Sequence, residues 1–239
     1  MSWRPYPKYR PSAIEWVPTI PEHWEVRKLK QIASVMFSNV DKKSDDQELP
    51  VLLCNYTDVY YNDYITPAIA FMEATATPEE ISRFKLAPGD VLVTKDSEEW
   101  SDIAVPAHVA VGLNGVVCGY HLALIRPRPE VIHGEYLFRA FGARGINDQF
   151  RVEATGITRY GLGKYPLDNA LFPVPPLEEQ RAIAAFLDRK TKMIYRLVER
   201  IEYLGGKVSE TKASLLREYK IALVTAAVTG KIDVREAAA

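Results

Sequence analysis

From Pro175 to Val234 the apolar positions follow a spacing unlike the rest of the chain. Ile194, Leu197, Ile201, Leu204, Val208, Thr211 and Leu215 recur alternately three and four residues apart. That is a heptad seam, with β-branched residues at one core position and leucine at the other. A seam this narrow faces another helix rather than a broad core. Read as one helix from Leu177 to about Thr229, the segment would be ~75–80 Å long. Gly205-Gly206 interrupts it, at a cost of ~1 kcal/mol per glycine relative to alanine. A tight turn there would give a helical hairpin. The unbroken apolar phase from Leu204 to Val208 favours a continuous helix instead. After Leu215 the spacing shifts to Tyr219 and Leu223, a four-residue stutter that locally unwinds a supercoil.

Upstream, the pattern is that of short strands between turns. Residues 1–22 hold Pro5, Pro7, Pro11, Pro18 and Pro21. Proline at this density bars helix interiors and sheet centres, so an extended arm is expected. Glu25 to Ala33 reads as a strand opening or a short helix, and Phe37 to Leu49 as a loop. Pro50 to Cys54 is a short apolar run, followed by Tyr56, Tyr60, Tyr61 and Tyr64. Thr77-Pro78-Glu79-Glu80 is a helix start, with Thr77 as N-cap and Glu80 completing a capping box. After a turn at Leu86 to Asp90, Val91 to Thr94 reads as a buried strand. Val109 to Val111 and Val116 to Cys118, around Asn114-Gly115, read as a hairpin. Leu122 to Pro127 is a strand, Gly134 to Phe141 a helix, and Leu171 to Val174 a last short strand. The body is therefore α+β and strand-rich, and a long heptad-patterned, coiled-coil helical region follows it. The boundaries fall as an arm over 1–22, a body over 23–174 and a helical association region over 175–239.

Composition adds limits rather than an activity. At 239 residues, with 47% hydrophobic and 26% charged side chains, the chain has the make-up of a soluble globular protein. No apolar run reaches the ~20 residues that span a bilayer, and the N-terminus lacks a signal-peptide core, so the expected location is cytoplasmic. Cys54 and Cys118 stand far apart, without a CxxC or a nearby histidine pair, and read as reduced, buried hydrophobes. A zinc site has no ligand spacing to support it. The net charge of −1 hides two basic stretches. Residues 1–30 carry six cationic side chains against three carboxylates, and residues 139–164 carry five against two. Such stretches suit a phosphate-facing surface, and equally a mixed solvated one.

Enzyme signatures are missing: there is no GxGxxG after a strand, no GxxxxGK[ST], no HExxH and no GxSxG. Gly161-Leu162-Gly163 reads as a loop, and Glu210-Thr211-Lys212 lies on the heptad helix without a matching acidic partner. No serine or cysteine is placed to use His121 as a base. What remains are polar and aromatic loops: Ser38 to Lys43, Asn55 to Thr57, Lys95 to Asp102, Tyr120-His121, and Thr155 to Lys164. Asn, Arg, Lys, Ser and Thr read base edges in the major groove, and Lys, Arg and loop amides hold phosphates.

Taken in order, several segments resemble the specificity subunit of type I restriction-modification enzymes. They are Ile20-Pro21-Glu22-His23-Trp24-Glu25-Val26-Arg27-Lys28-Leu29, Pro88-Gly89-Asp90-Val91-Leu92-Val93-Thr94-Lys95, Cys118-Gly119-Tyr120-His121-Leu122-Ala123 and Thr155-Gly156-Ile157-Thr158. The most specific is Phe172-Pro173-Val174-Pro175-Pro176-Leu177-Glu178-Glu179-Gln180-Arg181-Ala182-Ile183, with Val228-Thr229-Gly230-Lys231-Ile232 closing the chain. A full subunit of that family has two recognition domains, each followed by a helical region, so this chain resembles a half-length form.

The resemblance implies a non-catalytic subunit. Residues 23–174 become a target recognition, DNA-binding domain, and 175–239 a dimerisation and subunit-docking region. It implies DNA contacts at Ser38, Asn39, Lys42, Lys43, Asn55, Tyr56, Lys95, Ser97, Ser101, Tyr120, His121, Thr158, Arg159, Tyr160 and Lys164. Dimerisation falls to Ile194, Leu197, Ile201, Leu204, Val208 and Leu215. The heptad rule alone suggests parallel helices, whereas the family's helices pair antiparallel. Two-fold pairing predicts a bipartite palindromic target in double-stranded DNA. The implied partners are a second copy, a methyltransferase (M) subunit and, for restriction, a translocase-nuclease (R) subunit. No cofactor binds this chain directly; S-adenosylmethionine belongs to the methyltransferase, which methylates adenine. The arm and the Glu178-Glu179-Gln180 region are the expected docking surfaces for it. Two other classes stand beside this one. A coiled-coil scaffold with a protein-binding head would lack salt-dependent DNA affinity. A fragment of a fused restriction-methylation enzyme would betray itself by catalytic motifs in a longer reading frame.

Overall fold

The computed structural model describes residues 4–205 and 207–235, without the side chains of Leu204 and of residues 207–209. A strand-rich head carries a two-helix stem. The head is built on a five-stranded sheet in the order Ala33–Phe37, Leu122–Pro127, Val91–Thr94, Pro106–Val109, Tyr64–Ile65. All its neighbours are antiparallel except the last pair. A second sheet pairs Val116–Cys118 with Leu49–Cys54 in parallel, and Leu49–Cys54 with Met72–Ala76 antiparallel.

The central strand is buried at every position, with Val91, Leu92 and Val93 in succession, because both of its faces are covered. Val91 and Val93 point into one core, with the Gly134–Phe141 helix and the stem, while Leu92 points into the other, under the second sheet. The neighbouring strand splits in the same way: Ala123 and Ile125 enter the first core, Leu122 and Leu124 the second. A turn opens the central strand. There the buried Asp90 accepts from Ala87 N at 2.8 Å and takes two bonds from Arg126, at 2.8 and 2.9 Å.

Thr77 caps the Pro78–Phe84 helix as its spacing predicts, accepting from Glu80 N at 3.2 Å while Glu80 accepts from Thr77 N at 3.0 Å. Glu25 to Ala33 contains both expected elements in succession, a strand over Glu25–Lys28 and a short helix over Leu29–Ile32. The strand pairs with Leu171–Val174. The proline-rich arm is more ordered than expected. Tyr9–Ile14 and Val17–Pro21 form an antiparallel ribbon with an irregularity between Pro11 and Ile14. An isolated ribbon tolerates prolines because each strand has a free edge.

Two expectations are corrected. Val109 to Val111 and Val116 to Cys118 do not pair as a hairpin. The first strand ends in the five-stranded sheet and the second joins the other sheet, lying parallel to Leu49–Cys54. Local turn chemistry at Asn114-Gly115 lost to pairing with partners far away in sequence. The second correction concerns the stem. It is not one continuous helix but two, Leu177–Leu204 and Lys207–Val228, folded back on each other. Gly205 turns the chain at φ +66° and ψ 175°, a region that side chains with a Cβ avoid.

The hairpin divides the heptad seam. Ile194 and Val198 are buried in the core shared with Ala213, Leu223 and Val224, and Ile201 packs against that core. Leu197 and Leu215 are exposed, as are Met193 and Tyr219, each four residues from its neighbour on the same helix. The side chains of Leu204 and Val208 lie outside the described residues.

The Pro-Pro-Leu-Glu-Glu-Gln motif forms the joint between head and stem. Gln180 is wholly buried; its carbonyl accepts from His133 N at 2.7 Å, and its amide donates to Val131 O at 3.0 Å and Pro175 O at 2.8 Å. Glu179 is buried too, accepting from Trp24 Nε1 at 3.1 Å and from the Tyr6 hydroxyl, with His23 Nε2 at 2.9 Å. Of the three residues expected to form a docking surface, only Glu178 stands exposed. The closing Gly230 carbonyl accepts from Tyr9 at 2.9 Å, and Asp233 N donates to Arg4 O at 2.8 Å, so the arm and the tail meet.

Candidate nucleic-acid interface

Sheet register brings the polar loops together. Leu49–Cys54 and Val116–Cys118 run parallel with Cys54 opposite Cys118, so both strands end at the same edge. Asn55-Tyr56 and Tyr120-His121 therefore emerge side by side, tied by Gly119 N to Cys54 O at 2.9 Å. Val91–Thr94 ends nearby: Lys95 N donates to His121 O at 3.1 Å. The Ser38 to Lys43 loop joins through Tyr120 N to Val40 O at 2.9 Å. The Thr155 to Lys164 loop joins through a two-residue antiparallel pairing, Tyr160 opposite Ser97 and Gly161 opposite Asp96. Gly156 lets that loop close, since a Cβ there would sit 2.0 Å from the Arg159 carbonyl oxygen.

Asp96 is the centre of the resulting face. Its Oδ2 lies 2.8 Å from His121 Nδ1, and its Oδ1 accepts from Arg159 at 2.5 Å. The same Nδ1 lies 3.1 Å from Arg159 Nη2, so the three side chains form one cluster. Arg159 is about half exposed (54%), while Asp96 and His121 are largely covered. The Tyr120 and His121 rings are 3.7 Å apart, and the Lys95 ammonium sits 5.0 Å from the Phe37 ring and 5.9 Å from that of Tyr120. Burial pushes the Lys95 pKa below the ordinary lysine value. Tyr56 stacks on Tyr60 with centroids 5.4 Å apart, and burial raises its phenol pKa. Tyr60 donates to Asp102; that bond, then burial, pushes its phenol up to about 12.

Lys95, Tyr120, His121, Arg159, Tyr160 and Tyr56 thus share one surface, with Ser101 and Thr158 exposed on the same loops, whereas Ser97 is buried beneath it and accepts from Glu99 N at 3.2 Å instead of facing a ligand as expected. Lys42 and Lys43 are exposed on the Ser38 to Lys43 loop, and Asn39 donates to Glu80 at 2.5 Å. Ser38 differs from its expected role. It is buried, donates to Cys118 O at 2.5 Å and accepts from Val40 N at 3.1 Å, so it holds the loop rather than facing a ligand. Asn55 sits at the N-cap of the Tyr56–Tyr60 helix, where its N–H donates to Asp58 at 2.7 Å. Lys164 opens the Lys164–Asn169 helix and pairs with Asp168 at 2.6 Å, without a bond to the Asp96 cluster. The candidate set missed Asp96, Tyr60 and Asp102. A carboxylate reads as repulsive toward a polyanion, and only the fold reveals that Asp96 orients Arg159 and His121. Among the described residues, no group of three His, Cys, Asp or Glu side chains could hold a metal ion, and no helix is long and apolar enough to cross a membrane.

A mixed-sheet head thus gathers cationic, amide and aromatic loops at one edge and sits on an antiparallel helical stem. The chain belongs to the type I restriction modification DNA specificity domain family, whose profile matches residues 21–203. It is 26% identical over 189 residues to a protein of Methanocaldococcus jannaschii described as a type I restriction enzyme MjaX specificity subunit. That match covers 78% of this chain and 44% of the relative. The fold is similar to the HsdS subunit from Thermoanaerobacter tengcongensis, with a TM-score of 0.56 and 19% identity over 77% of this chain and 46% of that one. A chain from a solved type I R-M system, studied for complex assembly and conformational transition, gives a TM-score of 0.53 and 19% identity. It is matched over 89% of this chain and 47% of its own. The chain therefore spans about half the length of these relatives.

Proposed function

We propose that this chain is a non-catalytic DNA-recognition subunit of a type I restriction-modification system, reading one half-site per head. The observation that carries this reading is the convergence of five polar loops on the Asp96–His121–Arg159 cluster. Arg159 and Lys95 supply cationic donors, the Tyr56 and Tyr120 rings supply flat apolar surface, and the exposed Asn39, Ser101 and Thr158 supply polar tips. These are the groups that contact base edges and phosphates.

Two copies pair through the outer face of the stem, where Met193, Leu197, Leu215 and Tyr219 stand exposed. Ile194 and Ile201 serve the hairpin core instead of the dimer seam. Two-fold pairing of antiparallel stems sets the heads apart along one duplex, which makes the target a bipartite palindrome with a fixed unread spacer. The dimer directs a partner adenine-N6 methyltransferase, which carries S-adenosylmethionine, and for restriction a translocase-nuclease subunit. Exposed Glu178 and the adjoining arm remain the surface offered to the methyltransferase. Methylation sequencing of DNA treated with the chain and its methyltransferase tests the reading. Modified adenines confined to one bipartite motif support it; modification without a motif, or none, removes it.

A further inference from the structure

A cleft of about 850 Å³ separates the head from the stem. Its walls are apolar, with Phe138 on the head side and Ile194, Val198 and Val224 on the stem side. Five cationic side chains line it, Arg139, Arg144, Arg151, Arg217 and Lys220, against the carboxylates of Asp63 and Asp102. Two of these cations belong to the joint. Lys220 lies 3.3 Å from Asp63 and also meets the Tyr195 hydroxyl. Arg139 is buried and bonded to Tyr64 at 2.6 Å and Glu135 at 3.3 Å.

The other three are differently placed. Arg144 is exposed and makes no side-chain hydrogen bond or ion pair among the described residues. Arg151 pairs with Asp148 at 3.2 Å, and its Nε is covered with no partner. Arg217 pairs with Glu202, both about half exposed (56% and 48%). Exposed pairs of this kind are weak, and a phosphate oxygen competes well for a guanidinium. Arg144 and Arg151, from the basic stretch visible in the sequence, thus line this cleft together with a cation from the second stem helix.

The near rim of the cleft is Tyr60, Ser101 and Asp102. Tyr60 stacks on Tyr56 of the recognition face, so the cleft begins where that face ends. We infer that Arg144, Arg151 and Arg217 form a phosphate track for DNA flanking the half-site, an inference that rests on the DNA-recognition reading. The stem then grips the backbone as well as setting the distance between heads. Phosphate contacts of this kind fix register and angle without reading sequence.

The test is the salt dependence of the dissociation constant on a duplex carrying the mapped target, using the full chain with its methyltransferase. Replacing Arg144, Arg151 and Arg217 together by glutamine lowers the slope of log affinity against log salt by roughly one per lost contact. Base preference stays unchanged, and ethylation interference disappears at phosphates outside the half-site. The Arg144→Gln change alone breaks no internal bond and lowers the slope by about one. A control set, Lys28→Gln, Lys30→Gln and Lys192→Gln, removes the same charge from exposed positions off the cleft. An unchanged slope in the cleft variants, or an equal loss in the control set, overturns the track. If Arg159→Gln weakens binding while the cleft variants do not, the track alone fails. If the unmodified chain has no salt-dependent DNA affinity, the recognition reading fails with it.

Discussion

His121 holds its Nδ1 2.8 Å from the Asp96 carboxylate, joining two loops that leave different sheets. The same carboxylate orients Arg159, so one acidic residue sets the direction of two candidate DNA contacts. Asp96→Asn keeps the size of the side chain and removes its charge. The expected result is a folded protein whose binding to random duplexes is unchanged or tighter, while its preference for the target falls by about 1–3 kcal/mol per base pair read. Competition between target and scrambled duplexes measures this. Undiminished preference would detach Asp96 from recognition.

Arg159→Gln separates the two kinds of contact. An affinity loss shared by all sequences marks a phosphate contact, and a relaxed preference at one position marks a base contact. Selection from a library randomised at each target position distinguishes them. No loss on any duplex would remove Arg159 from the interface.

Gln180 makes three hydrogen bonds at the head–stem joint without exposing any surface. Gln180→Ala strands one buried donor and two acceptors, and destabilises the fold by roughly 2–4 kcal/mol. Urea denaturation of the two proteins measures the difference. A cost below about 1 kcal/mol would mean that the joint relaxes to re-pair these groups.

Burial pushes the His108 pKa down to about 4, with His133 and then Arg139 nearby adding to the shift. In the unfolded chain the imidazole titrates near its ordinary value of about 6.5. Between those values the unfolded chain binds a proton that the folded one refuses. Stability therefore falls as pH drops from about 6.5 toward 4, by a few kcal/mol at most from this residue. His108→Phe keeps a ring against Tyr64 and Phe138 and removes the titration. Its denaturation midpoint varies less over that range than that of the unmodified protein. An identical acid dependence would contradict the assignment.

Leu197 and Leu215 are exposed on the stem, whereas Ile194 is not. Replacing both leucines by glutamate leaves the hairpin core intact and yields single chains by light scattering, with the head still folded by circular dichroism. Variants that remain dimeric would place the interface elsewhere.

Much of the fold was legible where periodicity or local chemistry decides it. The Thr77 capping box and the doubly buried Val91–Thr94 strand follow from side chains within a few residues. The hairpin reading around Asn114-Gly115 failed because pairing with Leu49–Cys54, some sixty residues away, outweighed the turn signal. The stem misled for a related reason. The apolar phase runs through Gly205, but Ala213 and Leu216 return to pack in the core that holds Ile194 and Val198, and heptad spacing alone does not say whether the facing helix comes from the same chain. In the candidate site, residue type picked out the loops. It missed Asp96, whose part depends on a register between Asp96–Ser97 and Tyr160–Gly161 that no local pattern encodes.

The most direct test of the account is selection of bound duplexes from a random-sequence pool by the full chain together with its methyltransferase. The account predicts one short half-site recovered twice, inverted, at a single fixed spacing. Recovery of an unpaired half-site, of variable spacing or of no motif would contradict it.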